Sequence, residues 1–143
     1  MTRVSRPGRA VVYAAAGWGV DACFTALNTL RRTGRPQRSS LWNAPVYALA
    51  QPLFELVLDR LRGRPLAARA LAYGTGILTV EYAAGRLFRR VIGRAPWDYS
   101  YARHHVDGLV RPDFLPMWAL YGLALERLHD ALTSQTPPHG SRG

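Results

Sequence analysis

The sequence has no lysine: all 19 basic residues are arginine, set against nine acids, for a formal net charge of +10. It has one cysteine, Cys23, so an intrachain disulfide and a Cys-based metal site are both excluded. No apolar stretch reaches the roughly 18 charge-free residues that mark a membrane span by themselves. The longest, residues 41–54, has 14. A phosphate-binding loop, a nucleophile elbow and a Cys–His pairing are all missing, so the chain is expected not to be an enzyme and to need no cofactor. His104, His105 and Asp107 offer no metal site either. Adjacent histidines point apart in regular structure, and no further ligand follows at a recognised spacing.

A strongly basic chain invites a nucleic-acid partner, but such a face gathers its cations on one patch. Here arginine sits in every connector: Arg3, Arg6 and Arg9, then residues 31–38, 60–69 and 86–111. That distribution suits short loops flanking membrane helices, where arginine anchors helix ends at the headgroups. No nucleic-acid partner is expected. The mean hydropathy of −0.10 is low for a membrane protein because charge is concentrated between apolar runs. Arginine in place of lysine, with abundant Ala, Gly and Leu, is the mark of a GC-rich bacterial genome.

The length allows one domain. Residues 1–9 read as a basic N-terminal segment, 10–132 as a single membrane-embedded domain, and 133–143, rich in Pro, Ser and Gly, as a disordered tail. Apolar segments cover residues 10–30, 41–58, 70–88 and 114–128. The first follows arginines as a signal peptide would, but Asp21 interrupts it and no small-residue cleavage site follows, so it reads as a retained span. It also contains Gly17-x-Gly19-x-x-Ala22, the outline of a dinucleotide-binding turn. No strand pattern follows, and Asp21 would repel a pyrophosphate, so that match is accidental.

Each segment is marginal as a span. A central carboxylate costs roughly 2.5–3.5 kcal/mol on insertion, and each Leu, Ile, Val or Phe returns about 0.3–0.6. The spans are credible only as a set that shields its acids, and helical spacing supports such a set. Gly17, Asp21, Thr25 and Asn28 share a face; so do Tyr47, Gln51, Glu55 and Asp59; Gly74, Glu81 and Gly85; and Trp118, Gly122 and Glu126. Membrane helices pack through small and polar stripes of this kind. The fold expected is therefore an all-α polytopic membrane bundle of about four transmembrane helices.

A short basic interfacial helix, carrying Arg86, Arg89 and Arg90 beside Leu87, Val91 and Ile92, is expected after the third span. Trp97, Tyr99 and Tyr101 follow as interfacial aromatics, and Asp98 and Ser100 as caps for the next turn. The candidate polar residues are Asp21, Glu55, Glu81, Asp98 and Glu126. They read either as a proton or cation path, or as structural acids bonded to Trp, Tyr and backbone groups or paired with Arg60 or Arg86. Asp21, Glu81 and Asp98 are expected to cluster with Trp18 and Trp97. Arginine counts do not orient the bundle: nine flank one side and ten the other.

The motifs resemble those of small multi-helix membrane proteins of the ABC-transporter permease type, similar to vertebrate transmembrane protein 229. The matching pieces are Gly17-Trp18-Gly19-Val20-Asp21, Leu41-Trp42-Asn43-Ala44-Pro45-Val46-Tyr47, Glu81-Tyr82-Ala83-Ala84-Gly85 and Trp97-Asp98-Tyr99-Ser100, with Gly108 and Trp118 after them. The aromatics carrying the resemblance are Trp18, Tyr47, Tyr82, Trp97, Tyr99 and Trp118. Two positions depart: Asp21 stands where the family has Glu, and His105-Val106-Asp107-Gly108 where it has Asn-x-x-Gly. The resemblance implies a permease-like transport component of unknown substrate, multi-pass in a bacterial inner membrane. Its partners would be the lipid bilayer, other membrane subunits and a separate ATPase. A membrane scaffold that transports nothing is the alternative, and a soluble helical bundle is a third reading.

Overall fold

A computed structural model describes residues 5–36, 38–41 and 43–133. Its described part contains four α-helices, α1 (Arg6–Thr33), α2 (Asn43–Leu61), α3 (Leu66–Ile92) and α4 (Leu115–Thr133), the last entered through a 3-10 turn at Pro112–Phe114. Among the described residues the one β-type pairing is an isolated bridge between Val106 and Val110. Gly17 and Gly19 lie in the middle of α1, which removes the dinucleotide-turn alternative. Arg6 to Arg9 already belong to α1, so the basic segment expected over 1–9 is partly helical. Trp42 and residues 134–143, with nearly all of the expected tail, lie outside the described residues.

Local chemistry sets the helix ends. Ser5 caps α1, its Oγ accepting the Gly8 N–H at 3.2 Å, and Pro7 occupies the first turn, where no N–H is needed. Gly34 closes α1 in the left-handed conformation and donates its N–H to Leu30 O at 2.9 Å. Arg31 and Arg32 sit in that last turn, where cations suit the helix dipole. α3 runs without a break to Ile92, and Arg86, Arg89 and Arg90 form its final turns. The expected separate interfacial helix is thus an extension of α3, because no proline interrupts it and Gly93 is the first residue to turn left-handed.

By length and composition, α1 alone among the described helices qualifies as a membrane span. The sequence leads one to expect four. The charges on the others account for the difference: Glu55, Asp59 and Arg60 on α2, Arg69, Glu81 and Arg86 on α3, and Glu126, Arg127 and Asp130 on α4.

Packing follows the small-residue stripes. α1 lies along α2 and α3 along α4, while α2 and α3 meet sparsely. Gly17 receives the Tyr47 ring, Gly122 receives Tyr73, and Gly74 receives Leu115 and the backbone of Ala119. The hairpins are joined by an aromatic core of Tyr99, Phe114 and Trp118, with Phe24 edge-on to Phe114 at 4.6 Å.

The connector before α4 folds back on this core. Tyr99 N–H donates to Gly108 O at 2.8 Å, Trp97 Nε1 to Leu109 O at 2.9 Å, and the Gly108 N–H to His105 Nδ1 at 2.9 Å. His105 therefore makes the turn contact at the position where the resemblance led one to look for Asn. Tyr101 ties the connector to α1, accepting a bond from Asn28 at 2.6 Å and lying under the Arg32 guanidinium at 3.3 Å.

A Cβ at Gly122 would strike the Tyr73 Cβ, which is fixed to the α3 backbone, whereas one at Gly19 meets nothing within 4 Å. Gly122→Ala is therefore expected to destabilise the protein by about 1–3 kcal/mol. Gly19→Ala should be neutral or gain up to about 1 kcal/mol from helix propensity. Thermal melts of the two purified variants check this; equal midpoints would show that the α3–α4 contact is not close.

Candidate functional site

Where α2 and α3 part, the bundle encloses a cavity of about 510 Å³. Its walls are apolar and aromatic, with Tyr47, Phe54, Trp97, Tyr99, Trp118 and Tyr121 among the largest groups. Leu53 and Val57 of α2, and Gly76 and Thr79 of α3, also line it while being exposed, so the cavity reaches the protein surface between these two helices. The antiparallel course of the helices places Asp21, Asn43 and Glu81 towards one end and Tyr13, Gln51 and Tyr73 towards the other.

The four helical acids in question fall into two pairs with opposite surroundings. Glu55 accepts from Arg9 at 2.9 and 3.3 Å and from Gln51 at 2.8 Å, with His129 Nδ1 at 3.7 Å. His129 is itself bonded to the Tyr13 hydroxyl at 2.9 Å. Glu126, buried between α3 and α4, pairs with Arg69 and accepts from the Tyr73 hydroxyl at 2.7 Å. The neutralising cations are thus Arg9 and Arg69, not the expected Arg60 or Arg86. Helix ends bring them in: Arg9 lies in the first turn of α1 and Arg69 in that of α3, next to the parts of α2 and α4 that carry the acids.

At the other end the acids have neutral partners. Asp21 accepts from Ser39 Oγ and from Asn43 Nδ2 at 2.9 Å, which pins the α1–α2 connector over the bundle. Glu81 Oε1 accepts from the Tyr99 hydroxyl at 3.1 Å. Its Oε2 is sealed from solvent with no hydrogen-bond donor, and so is Asn43 Oδ1. Among the described residues no ion pair reaches Asp21 or Glu81. No group of three or more His, Cys, Asp or Glu side chains there is placed to hold a metal.

Asp98 does not join them. Trp97 and Tyr99 turn into the cavity, and in this non-helical stretch the residue between them turns out to solvent. It accepts from Ser100 N at 2.9 Å and Ser100 Oγ at 2.5 Å, bonds that hold its carboxyl below the ordinary aspartate range. Of the aromatics singled out by sequence, Tyr47, Trp97, Tyr99 and Trp118 line the cavity. Trp18 does not, and its Nε1 is buried without a partner. Tyr82 instead donates to Asp107 at 2.7 Å beside Arg86.

Sequence reasoning missed Ser39, Asn43, Arg9 and His129, whose partners lie 18 or more residues away. Arg69 and Tyr73 were legible in principle, since a spacing of four puts both on the face that meets Glu126.

Arg69→Met would leave the Glu126 carboxylate buried without its cation and is expected to cost about 3–5 kcal/mol. Arg69→Met combined with Glu126→Gln should recover most of that loss. A double-mutant cycle by thermal or denaturant unfolding measures the coupling, and additive effects would show that the pair is not formed.

No curated protein and no solved structure matches the chain. Residues 10–138 match the family described as "Putative ABC-transporter type IV", a span that takes in all four helices from Ala10 onward and every residue of the cavity. The chain belongs to the family so described.

Proposed function

We propose that the protein is a multi-pass component of a transport system in a bacterial inner membrane, with all four helices crossing the bilayer and the cavity carrying the solute. The observation behind this reading is the cavity itself: a bundle that needed only to hold itself together would close α2 against α3. The family supports a transport-related role. The outward faces support the membrane setting, with Val11, Leu27, Leu56, Leu71 and Leu120 each more than half exposed. Helices of 19 residues, α2 and α4, span about 28 Å, close to the hydrocarbon thickness of roughly 30 Å.

Their interior acids are tolerable as a set because Glu55 and Glu126 are paired within the bundle. We assign the chain no catalytic step. With no phosphate-binding loop in the sequence, energy from ATP would come through a separate ATPase subunit. The scaffold alternative has no use for an open cavity.

Two measurements test this. The expressed protein should stay in membranes through an alkaline carbonate wash and leave only with detergent. With Cys23→Ser as background, single cysteines at Arg35, Gly63 and Arg103 should react with an impermeant thiol reagent from alternate sides: Arg35 and Arg103 from one, Gly63 from the other. Release by carbonate, or labelling of all three from one side, would overturn the four-span arrangement.

A further inference from the structure

We propose that the cavity binds an organic amine in its protonated form, the ammonium held at the Asp21–Glu81 end and an apolar body lying along the aromatic wall. This rests on the transport reading and gives it a substrate class. Three observations carry it. The formal charge lining the cavity is entirely negative, from Asp21 and Glu81, with no described cation paired to either. Two acceptors there lack donors: Glu81 Oε2, and Oδ1 of Asn43, a side chain only 7% exposed. A buried acceptor without a donor is costly to the fold, and an N–H group from a bound molecule is one way to satisfy it.

The third observation is the wall. Tyr47, Trp97, Tyr99 and Trp118 present ring systems beside the acids, and aromatic faces attract cations more strongly in a desolvated site than in water. An inorganic cation is disfavoured, because the described side chains form no cluster of three ligating groups and most of the lining is apolar. An anion would meet two carboxylates. The volume is within the range of sites for small organic molecules, about 300–1,000 Å³. The opening between α2 and α3, flanked by Leu53 and Thr79, gives such a molecule a lateral route from the bilayer.

The test uses the full chain in phosphatidylcholine nanodiscs. Decylammonium, decanol and decanoate are titrated against it, with empty nanodiscs as baseline and intrinsic tryptophan fluorescence, to which the cavity residues Trp97 and Trp118 contribute, as readout. Decylammonium is expected to bind at least about tenfold more tightly than decanol, the ratio a charge-assisted hydrogen bond supports, and decanoate most weakly. Glu81→Gln and Asp21→Asn should each remove most of the ammonium preference while decanol still binds, which shows that the variants are folded.

Equal affinity for decylammonium and decanol, a preference for decanoate, or an ammonium preference that survives both substitutions would overturn the proposal. Any of these in a protein that has passed the carbonate and labelling tests refutes the substrate class alone. Failure of those tests removes the transport reading first.

Discussion

Holding four carboxylates, two buried and two partly buried, inside an apolar helical bundle is the constraint around which the rest of this protein is arranged. A charge taken out of water must find a partner or be neutralised, and the chain does so in two different ways. At the end where α1 and α3 begin, guanidinium groups from their first turns reach Glu55 and Glu126. At the other end, Asp21 and Glu81 are held by a serine, an asparagine and a tyrosine, none of which supplies positive charge. The first pair locks the helices together. The second pair lines the cavity without a described cation beside it.

Small residues explain why that cavity exists. Gly17 lets α1 close on α2, and Gly74 and Gly122 let α3 and α4 interlock, so each hairpin is packed along its length. Among the described residues no such contact is found where α2 faces α3. Aromatic rings project from both hairpins into the space between them, with Phe54 and Tyr73 meeting at 5.3 Å between ring centres. The connector carrying Trp97 and Tyr99 seals one end by folding onto α3 and the start of α4. Its turn depends on Asp107 and Gly108, both left-handed, with His105 accepting the Gly108 N–H.

Much of the architecture was legible in the chain. Helical spacing of Gly17, Asp21, Gly74, Glu81, Gly122 and Glu126 identified the faces that turn inward, and arginine-rich connectors marked the helix ends. Periodicity reports which face of a helix is buried, so these predictions needed no knowledge of neighbours. It does not report what each face meets. The pairing of Arg9 with Glu55 joins residues 46 apart, and the choice of Arg69 over Arg60 depends on how α3 and α4 are rotated against each other. Asp98 was misplaced because it adjoins two inward-facing aromatics, and the irregular backbone that turns it outward has no periodic signature.

The sequence by itself determined four helices, their boundaries to within a few residues, and a polar stripe on each, because those properties follow from spacing and capping within single segments. Tertiary structure alone decided which acids are paired with an arginine and which are not, since that depends on the ends of different helices lying side by side. It also decided that the hairpins stand apart, because a void is a relation between surfaces and no residue encodes it alone.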